Sequence, residues 1–181
     1  MEKTVEIEYK TFVSGEAASS LLAQGIFKHG QLQTNFYYDT QDMVFTKQQG
    51  VLRIREKNDT FRFTAKIKRE NHIDEFECDL IDLNINNDEV LKFVSSYTDV
   101  TEFEYLGKTT TYRYTYDDEF GAWCLDFNVF KYTSDIEMEF ELHEGILDAY
   151  DHYLKQLDEW GIKHNPSLSK FQRLLKEQDS L

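Results

Sequence analysis

The chain is poor in residues that break or staple structure: one proline, Pro166, eight glycines and two cysteines in 181 residues. With so little proline and glycine, and no Ser/Gly-rich or repetitive stretch, nothing reads as a linker, and one domain over residues 1–181 is expected. Its length and a hydrophobic share of 40% suffice for a substantial core. Cys78 and Cys124 sit in alternating strand patterns rather than in a paired spacing, so free thiols are expected in place of a disulfide.

Positive charge is also short. Twenty Lys and Arg stand against 34 Asp and Glu, a formal net charge of −14. Nucleic-acid binders and proteins of anionic membrane surfaces present a surplus of basic residues, so both classes are excluded as expectations. There is no apolar run of eighteen residues and no charged-then-apolar leader, from which a cytoplasmic location follows by default. The expected assembly is a monomer or homodimer.

What the chain has in abundance is alternation of apolar and charged residues, the mark of strands whose successive side chains face opposite ways. Strands are predicted over Thr4–Lys10, Thr34–Asp39, Gly50–Glu56, Phe61–Arg69, Ile73–Leu80, Thr109–Asp117, Ala122–Phe130 and Ser134–Leu142. Four helices are predicted around them. Ser14 caps the first, Asn87 caps the second, and the third runs through Ile146–Trp160 to Gly161 at its C′ position. The last, over about residues 166–177, has Asn165 as cap and Pro166 at the first helical position.

Writing each strand as two faces separates the charges by sign. Glu6, Glu8 and Lys10 oppose Val5, Ile7 and Tyr9; Arg53 and Arg55 oppose Leu52 and Ile54; Lys66 and Lys68 oppose Phe63, Ala65 and Ile67. Arg113 stands among threonines, Asp126 opposes Leu125 and Phe127, and Glu137 and Glu139 oppose Met138 and Phe140. A solvated antiparallel sheet produces alternation too, but its exposed face normally mixes signs, because like charges directly opposed are unfavourable. Here acids occupy the first and last strands and bases the third and fourth. The helices need an apolar sheet face to cover, which puts Val5, Ile7 and Tyr9 beneath helices and turns the charged residues inward. Such an interior is costly to desolvate unless pairing, water or a ligand compensates, and a polyanion with divalent metal ions satisfies both sets.

Glu6-Ile7-Glu8-Tyr9-Lys10 matches an ExExK signature. It is followed by Tyr38-Asp39-Thr40, Leu52-Arg53-Ile54-Arg55, Ala65-Lys66-Ile67-Lys68, Arg113, Leu125-Asp126, Glu137-Met138-Glu139 and Ser169-Lys170-Phe171. In this order and spacing the chain resembles the CYTH superfamily, the triphosphate tunnel metalloenzymes. That resemblance implies a mostly β fold, an eight-stranded antiparallel closed barrel with a polar interior and helices packed outside. It also implies Mg²⁺ or Mn²⁺ as cofactor and a triphosphate-containing small molecule as substrate. Glu6, Glu8, Glu137 and Glu139 would hold metal, with Asp126 as a further ligand or support, in keeping with the preference of hard cations for carboxylate oxygen. Arg53, Arg55, Lys66, Lys68 and Arg113 would bind the phosphate chain. Lys10 and Lys170 would bind phosphate and act more directly in catalysis. Glu75, Glu77 and Arg173 share the charged surfaces without a single assignable role.

The function this implies is divalent-metal-dependent hydrolysis of inorganic tripolyphosphate or an organic triphosphate. Class IV adenylate cyclase activity and thiamine triphosphatase activity belong to the same superfamily. A noncatalytic polyphosphate- or nucleotide-binding module is the alternative from another class. An apolar-ligand barrel would need hydrophobic residues on the inner face, against the helix-covering argument.

Overall fold

The computed structural model describes residues 1–179. Among the described residues there are nine strands: β1 (Glu2–Glu6), β2 (Glu8–Phe12), β3 (Lys28–Thr40), β4 (Val51–Lys57), β5 (Thr60–Lys68), β6 (Ile73–Leu80), β7 (Phe103–Asp117), β8 (Gly121–Val129) and β9 (Ser134–Leu142). The same residues form the helices α1 (Gly15–Ala23), α2 (Val44–Lys47), α3 (Asp88–Val94), α4 (Tyr150–Glu159) and α5 (Lys170–Asp179). The strands hydrogen-bond in the order β1-β6-β5-β4-β3-β7-β8-β9-β2, and the fold class is mostly β and antiparallel, as expected. The ninth strand arises because the expected first strand is interrupted at Ile7: β1 pairs with β6, and β2 pairs with β9.

Contacts gather the chain into two compact units, with β3 and β7 contributing residues to both. The first comprises Met1–Glu6, Gln33–Thr109 and the segment from Lys170. In it Leu52, Ile54, Phe63, Ala65 and Ile67, one face of β4 and β5, pack against Phe45 of α2 and Val90 and Val94 of α3. The second comprises Ile7–Leu32 and Thr110–Ser169. Its core joins Trp123, Leu125, Met138 and Phe140 of β8 and β9 to Ala18 and Leu21 of α1 and Tyr153 and Leu157 of α4. In each unit, helices cover the apolar strand face.

Local signals account for most helix ends. Ser14 Oγ accepts from Ala17 N–H at 3.2 Å, and Asn87 Oδ1 from Glu89 N–H at 2.9 Å, the side-chain caps expected at both positions. Gly161 follows α4 with φ +67°, a left-handed conformation that closes the last turn as Ile162 N–H donates to Leu157 O at 2.8 Å. Gly121 opens β8 where any Cβ would lie 2.3 Å from Glu141 O, so backbone proximity dictates glycine.

Several expectations are corrected. The last helix begins at Lys170, not at Pro166, because Asn165 is tied to β2 by hydrogen bonds to Thr11 and Phe12. Asn165 N–H donates to Thr11 Oγ1 at 2.7 Å, and Asn165 O accepts from Phe12 N–H at 2.9 Å. The third helix begins at Tyr150, four residues after Ile146, and Leu147 is exposed. Val5 is not beneath a helix but 59% exposed, whereas Ile7 and Tyr9 do pack against a core, Tyr9 against Tyr150 and Tyr153. The short α2 has no counterpart among the expected helices. Asp39, fully buried, builds it by accepting from the backbone N–H groups of Thr40, Phe45 and Thr46, so Tyr38-Asp39-Thr40 has a structural role. Both cysteines are free, and burial pushes their thiols up, Cys78 to about 11 and Cys124 to about 12, which keeps them protonated near neutral pH. Among the described residues no helix is long and apolar enough to cross a membrane.

Candidate functional site

In the second unit, strand register assembles the acidic candidates. Asp126 of β8 lies opposite Arg113 of β7 on one side and Glu137 of β9 on the other, and Glu139 lies opposite Lys10 of β2. One carboxylate oxygen from each of Asp126, Glu137 and Glu139 falls within 4.8 Å of the others. Asp126 and Glu137 are fully buried. Three converging carboxylates suit a hard divalent cation such as Mg²⁺ or Mn²⁺, so this donor set fits the expected cofactor.

Cations and amides hold these carboxylates in place. Arg113 forms a two-pronged contact with Asp126, Nε to Oδ1 at 2.7 Å and Nη2 to Oδ2 at 2.6 Å, and Nη2 also donates to Glu139. Burial works against the Arg113 charge, but Asp126 and Glu139 outweigh it and raise its pKa well above the ordinary value. Glu137 accepts from Ser167 Oγ at 2.8 Å and Asn128 Nδ2 at 3.2 Å, and Asn128 Oδ1 accepts from Thr111 Oγ1 at 2.7 Å. Lys10 is ion-paired with Glu8 at 2.6 Å and lies 3.7 Å from Glu139. The basic side chains thus sit where two of the three clustered acids would otherwise repel one another.

The first unit carries most of the basic candidates together with Glu6. Glu6, 5% exposed, accepts from Lys66, which also lies 3.5 Å from Glu75. Arg53 reaches Glu75 at 3.6 Å, and Arg55 donates from Nε to Asn35 Oδ1 at 3.1 Å. Glu77 accepts from Thr64 Oγ1 at 3.0 Å and pairs with Arg62 at 3.5 Å. Glu75 and Glu77 therefore neutralise neighbouring bases. Lys68 stands apart at the exposed end of β5, donating to Gln49 Oε1 at 3.0 Å. Lys170 begins α5 and is 9% exposed; the next residue, Phe171, packs at a tilt against buried Tyr37 with ring centroids 5.3 Å apart. Arg173, one turn along α5, is partly buried. Tyr37 opposes Arg53 in the register, so it belongs to the charged face of β3 and β4, and α5 packs on that face.

Sequence reasoning missed Asn128, Ser167, Gln33 and Asn35. Asn128 and Asn35 were accessible in principle, because they alternate on the same strand faces as Asp126 and Tyr37. Ser167 carries no such signal, since it lies in the irregular segment before α5.

Three comparisons bear on this arrangement. The CYTH domain profile matches residues 4–175. A Bacillus subtilis (strain 168) protein, YjbK, provisionally named a triphosphatase, is 25% identical over 191 aligned positions covering 98% of each chain. Among solved structures, a Bacillus halodurans protein provisionally named an adenylate cyclase is 30% identical, with a TM-score of 0.82 over 96% of this chain and 98% of its own. A Hippeastrum protein, HpAC1, named an adenylyl cyclase and described as having a dominant triphosphatase activity, shares the fold at 22% identity. Its TM-score is 0.75 over 96% of this chain and 95% of its own. The chain belongs to the CYTH domain family.

Proposed function

We propose that this protein is a divalent-metal-dependent triphosphatase that hydrolyses inorganic tripolyphosphate or an organic triphosphate. The observation that carries the reading is the convergence of buried Asp126 and Glu137 with partly buried Glu139, Asp126 and Glu139 being paired with Arg113. Arg113 offsets the charge of Asp126 and Glu139, and a divalent cation would offset the negative charge that three gathered carboxylates leave over. The triphosphatase name of YjbK and the triphosphatase activity described for HpAC1 support the same reaction class.

In this reading Glu137 and Glu139 of the second unit hold the metal, with Glu8 as a further carboxylate of that unit; Glu6 is the candidate carboxylate of the first unit. Asp126 has both oxygens engaged by Arg113, and its proposed part is to orient that guanidinium. A bound Mg²⁺ or Mn²⁺ would supply Lewis-acid stabilisation of phosphoryl oxygens. Arg53, Arg55 and Lys66 in the first unit and Arg113 in the second are the phosphate-binding candidates, the arginines through paired N–H groups and lysine as a point charge. Lys68 and Lys170 are peripheral and α5-borne contacts. Lys10, between Glu8 and Glu139, is suited to stabilising charge on the terminal phosphate as water attacks phosphorus.

Lys66 is paired with Glu6 and Lys10 with Glu8, so a bound phosphate would compete with carboxylate for these ammonium groups. The reading extends to one domain, to a cytoplasmic location and to a monomer or homodimer. A panel of tripolyphosphate, ATP and thiamine triphosphate, assayed with and without Mg²⁺ or Mn²⁺ for phosphate and for cyclic nucleotide, tests it. Metal-dependent phosphate release is expected; cyclic AMP as the main product would reassign the chain to the cyclase branch, and metal-independent binding without turnover to a binding module.

A further inference from the structure

Gln33 stands on β3 two residues before Asn35 and four before Tyr37, so the three share a strand face. Asn35 lies opposite Arg55 and Tyr37 opposite Arg53, which makes this the charged face of β4 as well. Gln33 is 3% exposed and Asn35 1%. Gln33 Nε2 is fully buried and, among the described residues, has no hydrogen-bond partner; the same is true of Arg53 Nε. Buried donors without acceptors are destabilising and rare in folded proteins. Two on one face describe a surface short of acceptors, which the oxygens of a polyanion would provide.

We propose that Gln33 is an anion-contacting residue, its Nε2 donating a hydrogen bond to a non-bridging phosphate oxygen beside the guanidinium that Asn35 orients. This rests on the triphosphate reading above and adds a neutral donor to it. Neutrality has a physical rationale, because Arg55 already lies directly opposite Arg62 in the register and a further cation would add like-charge repulsion. Asn35 acts as a positioning residue. By accepting from Arg55 Nε it fixes the plane of the guanidinium, the geometry on which paired recognition of phosphate depends.

Gln33→Met retains the length of the side chain and removes the donor, so a ligand-contacting role and a packing role give opposite results. The ligand is sodium tripolyphosphate in EDTA, which halts metal-dependent turnover, with binding followed by calorimetry and stability by thermal midpoint. Gln33→Met should bind tripolyphosphate about tenfold more weakly, the loss of one hydrogen bond to a charged acceptor. Its ligand-free thermal midpoint should be unchanged or higher, since an unsatisfied buried donor is gone. Unaltered affinity in Gln33→Met, while Arg55→Ala binds more weakly than wild type, would overturn this inference and leave the triphosphate reading standing. A lowered midpoint would assign Gln33 to packing and equally overturn it. Absence of binding by the wild-type protein would remove both.

Discussion

Arg113 touches two acidic side chains at once, and this makes it the most sensitive single residue of the carboxylate cluster. Replacing it by methionine leaves Asp126 and Glu139 without their cation, and removing one partner of a buried ion pair costs about 3–5 kcal/mol. Arg113→Met should therefore lower the urea-unfolding free energy by roughly that amount at neutral pH. If the carboxylates take a metal, added Mg²⁺ should raise the thermal midpoint of Arg113→Met more than that of the wild type. Equal shifts would argue against metal at this cluster. The sequence singled out Arg113 as one basic residue among threonines. It did not reveal the two-pronged contact with Asp126, because alternation assigns a face but not a side-chain rotamer. For the same reason Lys68 shared a pattern with Lys66, yet only Lys66 reaches Glu6; Lys68 lies one pleat further, at the exposed strand end.

Among the elements, the hairpin of β7 and β8 and helix α4 are joined through Asp118. Its carboxylate accepts from Trp123 Nε1 at 2.8 Å and from the backbone N–H groups of Phe120 and Gly121, and His152 Nε2 of α4 lies 2.7 Å from it. Burial raises the Asp118 pKa, but these hydrogen bonds outweigh it and hold the carboxyl below its usual range. A folded-state pKa below the unfolded value of about 3.9 means the stabilisation is complete above that pH and is lost as pH falls through the folded value. Asp118→Asn should thus cost about 1–3 kcal/mol at neutral pH, and its stability should fall less steeply than that of the wild type as the solution is acidified below about pH 4. Parallel acid-unfolding curves for the two proteins would contradict this. Strand identity and the caps at Ser14 and Asn87 were legible because they depend on neighbours in sequence. The break at Ile7, the exposure of Val5 and the late start of α5 were not. Each depends on a partner distant in sequence, β6 against β9 in the first case and Thr11 with Asn165 in the last.

For the molecule as a whole, each unit keeps its bases beside its acids, Lys66 with Glu6 in one and Lys10 with Glu8 in the other. A chain of net charge −14 would hold its few cations most cheaply at the surface, yet Arg53, Lys66, Lys10 and Arg113 are each less than a fifth exposed. That placement follows the charged strand faces read from the sequence, and it accords with the metal-dependent triphosphatase activity proposed above. The central claim is that Glu137 serves a divalent cation required for hydrolysis. Its most direct test is the rate of phosphate release from tripolyphosphate by wild-type protein and Glu137→Gln, each with Mg²⁺ and with EDTA. The account predicts turnover by the wild type that EDTA abolishes, and a Glu137→Gln protein that stays folded but loses at least about two orders of magnitude in rate, the scale of a lost electrostatic contribution. A Glu137→Gln rate equal to that of the wild type in Mg²⁺, or wild-type hydrolysis that persists in EDTA, would contradict it.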